Sequence, residues 1–118
     1  MKKRLISVVL AVIILFALPV LAFQGSQSSG EQTSSAAIYA GSAYITGVEV
    51  ITDGTNDAKL ILYDNATAAS GTVVLEMTVA GANNFGGREP TFPPHCYNGI
   101  YGAITGTDAS FIVEYIGR

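Results

Sequence analysis

The stretch Thr52–Gly71, TDGTNDAKLILYDNATAASG, decides how this chain folds. Asp, Asn and Gly crowd both of its ends, and Ala58–Tyr63 between them is apolar apart from Lys59 and rich in strand formers. Two readings compete: a calcium loop built from threaded carboxylates, or two turns around one β-strand. Neither flank has the spacing of an EF-hand loop, which also needs a bidentate Glu at its twelfth position. Asp53, Asn56 and Asp57 remain weak candidates for an irregular metal site; the turn reading is the stronger. On it, residues 53–57 and 64–71 are connections in a meander of successive hairpins.

Working outward, a period of two recurs. In Tyr44–Ile51 the even positions hold Tyr, Thr, Val and Val, and the odd ones Ile, Gly, Glu and Ile. Thr72–Ala80 places Val73, Leu75, Met77 and Val79 on one face, with Thr72, Glu76 and Thr78 largely on the other. Lys59–Tyr63 and Phe111–Ile116 are strand-like, and Ile100–Thr105 is a weaker strand. Such Val-, Ile-, Thr- and Tyr-rich runs suit a pleated, half-buried surface. Asp53-Gly54, Asn56-Asp57, Asp64-Asn65, Gly86-Gly87, Asn98-Gly99 and Gly106-Thr107-Asp108 separate them with turn chemistry. No segment after residue 35 has a helical period. The expected fold is all-β: a single antiparallel β-sandwich, jelly-roll-like or an Ig-like meander, over residues 36–118.

The N-terminus reads differently. Met1–Arg4 is basic, Leu5–Leu18 is apolar apart from Ser7, and Pro19 precedes the small-residue exit Val20-Leu21-Ala22. These are the marks of a signal peptide over residues 1–22. Residues 5–23 are also just long enough to stay as a membrane anchor. Either way the remainder is expected to be exported, secreted or membrane-anchored, with Lys2, Lys3 and Arg4 left inside. Residues 23–35, rich in Ser, Gly and Gln, read as a flexible linker because they lack the apolar surface to offset their ordering entropy.

Beyond the leader, Lys59, Arg88 and Arg118 stand against nine carboxylates, a formal charge of about −6. That argues against nucleic-acid binding and against docking on anionic lipid. Cys96 is the one cysteine, so no internal disulfide forms. His95, the one histidine, adjoins it, but neighbours on an extended strand point to opposite faces and cannot share a proton or a metal. With no second His or Cys, no G-x-S-x-G elbow and no helix behind Gly86-Gly87, neither an enzyme nor a cofactor is expected. Asn65-Ala66-Thr67 is a glycosylation sequon, relevant only in a eukaryotic secretory pathway.

Gly81–Pro94 is the longest irregular stretch, and Pro90, Pro93 and Pro94 exclude a central strand there. Phe92 and the prolines are expected to seal the open end of the sandwich. The competing use is recognition, with Phe85, Phe92, His95, Tyr97 and Tyr101 as candidate partner contacts and Tyr39 and Tyr44 beside them.

The turn-rich runs Thr52–Ala58, Leu62–Asn65, Ala69–Gly71, Cys96–Tyr101 and Gly106–Ser110 resemble small structural proteins of tailed-phage and prophage virions. The resemblance spans Ser42 to Ile116. It implies a compact β-sandwich that decorates or joins a particle and carries no catalytic residues. The leader departs from that pattern, since such proteins begin with their first strand and assemble in the cytoplasm. The expected role is therefore a non-enzymatic structural or surface-display protein that self-associates and contacts other virion or cell-surface proteins. A secreted or cell-surface module binding glycan or protein is the alternative. Apolar residues on both faces of a strand, as in Leu60-Ile61-Leu62, point to a homo-oligomer, and a trimer suits a virion spike.

Overall fold

The structure, a computed structural model, describes residues 25–118. The readings of residues 1–22 as a signal peptide or anchor lie outside the described residues. Within them the chain is all-β: β1 Gln27–Ser28, β2 Ala36–Ala40, β3 Ala43–Ile51, β4 Ala58–Tyr63, β5 Val73–Val79, β6 Phe85–Arg88, β7 His95–Cys96, β8 Gly99–Thr105 and β9 Ser110–Gly117. One 3-10 turn, Gly81–Asn83, joins β5 to β6. Among the described residues no helix is long and apolar enough to cross a membrane.

The pairing follows a simple rule. β4 pairs with β5, β3 with β6, β2 with β8 and β1 with β9, all antiparallel. The chain is thus one long nested hairpin with its tip at residues 64–72. Successive rungs alternate between two sheets, ordered β1-β9-β3-β6 and β2-β8-β4-β5, and the short β7 also lies on β3. Pairs β3/β9 and β4/β8 knit the rolled hairpin together.

This topology corrects the expected meander at one point. The 64–72 connection is a true hairpin, but residues 52–57 carry the chain from β3 in one sheet to β4 in the other. Asp53 shapes that crossing: its Oδ1 accepts the amides of Thr55 at 2.9 Å and Asn56 at 2.7 Å, and Oδ2 accepts Asn56 Nδ2 at 2.7 Å. Gly54 supplies the positive φ of 87°. Part of the stretch read as a linker is paired. Gln27 and Ser28 pair with Tyr115 and Glu114, and Gln32 exchanges backbone bonds with Phe111 at 2.8 and 3.0 Å. Polar side chains suffice there because an edge strand needs backbone partners more than it needs burial.

Both sheets turn one face to a shared core. Ala58, Leu60 and Leu62 of β4 are buried, as are Phe111, Val113 and Tyr115 of β9 and Ile100 of β8. In β3 strict alternation fails. A register shift between Ile45 and Gly47 inserts one extra residue, so Ala43, Ile45, Val48 and Val50 all reach the core. A second shift, between Leu62 and Tyr63, pairs Val73 with Tyr63 and leaves Val73 48% exposed, off the face it was expected to share with Leu75. Ile61 and Ile51 are only half-buried, on the outer faces of their sheets.

Candidate functional site

Pro93 and Pro94 offer no amide to a neighbouring strand, so pairing with β3 resumes only at His95. Ile45 N donates to Pro94 O at 3.0 Å and fixes the approach. The register then sets His95 opposite Tyr44. Their rings stack with centroids 4.4 Å apart and planes inclined by 20°, and Tyr97 covers His95 at 4.1 Å. The Arg118 guanidinium lies 5.1 Å from the Tyr44 ring centroid. His95 Nε2 is 2.6 Å from Ser42 Oγ, and Arg118 N donates to Ser42 O at 2.8 Å. The result is a ladder, Tyr97–His95–Tyr44–Arg118, across one corner of the first sheet. Each ring contact contributes about 0.5–1.5 kcal/mol beyond burial, and the cation–π contact about 0.5–1.

Cys96 faces the other way and has no exposed surface. Burial, then the nearby Asp64 charge, pushes its thiol up to about 11. Few thiolates form near neutral pH, and the side chain packs in the core cluster. His95 bonds to a hydroxyl and stacks on rings, an arrangement that holds an imidazole in place and supplies no second acid or base.

Asp64 ties the hairpin tip to this corner. Its Oδ1 accepts Asn98 N at 2.7 Å and Gly99 N at 3.4 Å. Desolvation raises the Asp64 pKa, but the amides of Asn98, Tyr97 and Gly99 and the His95 charge together outweigh it and hold the carboxyl below its ordinary value. A carboxyl lowered by folding stabilises the fold at pH values above its unfolded pKa of about 3.9. That contribution is lost as pH falls through the folded value. Asp64→Asn is therefore expected to flatten the acid limb of stability below about pH 4, at a cost near neutral pH of about 1 kcal/mol because the group is only partly buried. Urea titrations at pH 3 and pH 7 check this; an unchanged difference between the two pH values contradicts it.

Of the candidate contacts, Tyr44, His95 and Tyr97 are brought together. Phe85, 64% exposed, pairs with Ile51 at the far end of β3. Phe92, 88% exposed, does not seal the fold; with Pro90, Pro94, Val74, Leu75 and Arg88 it borders an open groove of about 180 Å³. Tyr101 lies on the second sheet, opposite Tyr63, and Tyr39 packs on Tyr115 at 5.2 Å. The metal candidates are otherwise engaged: Asp53 with Asn56, and Asp57 Oδ1 with the amide of Gly81 at 2.9 Å. Among the described residues no group of three His, Cys, Asp or Glu is placed to hold a metal. An open depression of about 420 Å³ on the first sheet is floored by Gly47 and Gly87 and bordered by Glu49, Glu89, Glu114 and Arg88.

Comparison with family models, with curated proteins and with solved structures finds no match to the chain.

Proposed function

We propose that this chain is a non-enzymatic structural domain of the kind that builds or decorates virion-type particles, acting through a rigid β-sandwich that associates with copies of itself. One observation carries the reading. Without the two-residue β7, eight strands lie in the orders β1-β9-β3-β6 and β2-β8-β4-β5, which is what rolling a single long hairpin produces. That arrangement is the jelly roll, an architecture used by viral coats and by lectins.

Fold alone does not choose between coat and lectin, and surface chemistry favours the coat. The rings of Tyr44 and His95 stack on one another, and Tyr39 packs on Tyr115, so these faces are closed to a sugar. The outer faces instead carry half-buried apolar residues: Ile51, Ile112 and Ile116 on the first sheet, and Ile61, Tyr63 and Tyr101 on the second. Contact between copies covers such residues. The resemblance of the turn-rich runs to tailed-phage structural proteins supports the particle setting, and the basic and apolar start of the chain supports export.

Sedimentation of the full-length protein in mild detergent tests the reading. The expected mass is two or more chains, with particles labelled by an antibody against the domain. A single-chain mass together with clear hits on a glycan array overturns it in favour of the binding module.

A further inference from the structure

We infer that the β5 edge is the surface through which two copies of this chain join, by antiparallel pairing of β5 with β5 across a twofold axis. The inference rests on the self-association proposed above and names where it occurs.

Exposed sheet edges display unpaired backbone groups, and proteins commonly blunt them with short strands, prolines, glycines, bulges or charges. The other strands open to pairing in this domain show such devices. β1 has two residues. β2 is broken by a register shift between Ala37 and Tyr39. β6 has four residues and contains Gly86-Gly87. β7 has two residues and follows Pro93-Pro94. β5 differs. It has seven residues without Gly or Pro, and its one irregularity lies at its start. Among the described residues its backbone partners are all on β4.

Charge favours a second copy here. Each domain carries about −6, so most surfaces repel their like. The one charge on β5, Glu76, is held by Lys59 of the same chain at 2.6 Å, and the edge is locally neutral. Two of the four exposed large apolar side chains among the described residues also lie at this edge. Val73 is in β5, and Phe92 borders the groove with Val74 and Leu75.

Sheet parity, charge and strand length then narrow the register, and the Met77-centred one is proposed. Residues directly opposite in a sheet share a face, so Leu75, Met77 and Val79, which point inward, must meet inward residues of the second copy. Placing Glu76 on the axis sets two like charges opposite each other. Placing Met77 on the axis sets Leu75 against Val79 and Glu76 against Thr78, with no like-charge pair. The second sheets of two copies become one eight-stranded sheet. A contact of this kind is isologous and closes as a dimer, so it replaces the expected trimer.

Cysteine cross-linking of the full-length protein tests this. Directly opposite residues in antiparallel strands stand about 4.5–5.5 Å apart at Cα, within disulfide range, whereas diagonal neighbours at about 7–8 Å are not. Met77→Cys is expected to give a disulfide-linked dimer on mild oxidation. Glu76→Cys is expected to give none, and neither is the parent protein, whose Cys96 is buried. In the Met77→Cys background, Thr78→Glu places two like-charge pairs across the axis and raises the dimer dissociation constant about tenfold, while Thr78→Lys lowers it. Thr78 is exposed, so both variants keep the fold. Equal cross-linking at positions 76 and 77 overturns the register. Absence of the Met77→Cys dimer in a protein that still sediments as an oligomer overturns the edge contact and leaves self-association standing. A single-chain mass removes both.

Discussion

Replacing Phe111 with alanine is expected to remove about 3–5 kcal/mol of folding free energy, from a total that for a domain of this size is only about 5–15. Phe111 is the largest fully buried side chain among the described residues. Its backbone also clasps Gln32 through two hydrogen bonds, so it joins the N-terminal edge to the core. The space it fills exists because Gly102 lacks a side chain: a Cβ there meets Phe111 Cε2 and Cζ at 2.5 Å. Gly102→Ala alone thus overpacks the core at a cost of about 1–3 kcal/mol. Combined with Phe111→Leu, which withdraws the ring, its penalty shrinks, so the double variant is more stable than the sum of the singles predicts. Urea unfolding of the four proteins measures the coupling, and strict additivity contradicts the contact.

The second large effect is expected at Gly81, where the chain turns from β5 toward β6. A Cβ on Gly81 lies 2.3 Å from Thr55 C and O and 2.6 Å from Asn56 N, all backbone atoms. No rotamer change relieves such an overlap. The turn is also held on both sides, since Thr52 Oγ donates to Gly81 O at 3.0 Å and Asp57 Oδ1 accepts Gly81 N at 2.9 Å. Gly81→Ala must part these elements and break at least one of those bonds, a cost of about 3 kcal/mol or more. The melting temperature falls by roughly 10–20 °C. Gly25→Ala, with no atom within 4 Å of the added Cβ, leaves it unchanged. Equal melting of the two variants refutes the argument.

Five strands were legible in the sequence: β3 and β5 from a period of two, and β4, β8 and β9 from runs of strand-forming residues. The Asp53 turn was legible from local chemistry, since a side chain two or three residues from its partner needs no tertiary information. β6 was hidden. Phe85-Gly86-Gly87-Arg88 has neither β-branched residues nor a pattern, and it is a strand only because β3 offers Val48–Ile51 as partners. β1 was hidden for the same reason. The stack at His95 depends on the β3/β7 register, and Ser42, Asp64 and Arg118 enter it from segments far apart in the chain. Adjacent Pro93-Pro94 was the one local hint, because it delays pairing until His95.

The nesting of the strands also dictates the order in which the chain can fold. β4 and β5 meet after closing one short loop, whereas β1 must wait for β9, the last strand in chain order. Each outward rung closes a longer loop than the one before. Most contacts are non-local, so the domain belongs with the slow all-β folders that take milliseconds to seconds. A ribosome releases β1, β2 and β3 long before β9, β8 and β6 exist to receive them. The fold therefore remains open until β9 has been released. Deleting β9, Ser110–Gly117, removes the strand on which the first sheet closes, while a nick at the 64–72 tip leaves every rung able to form.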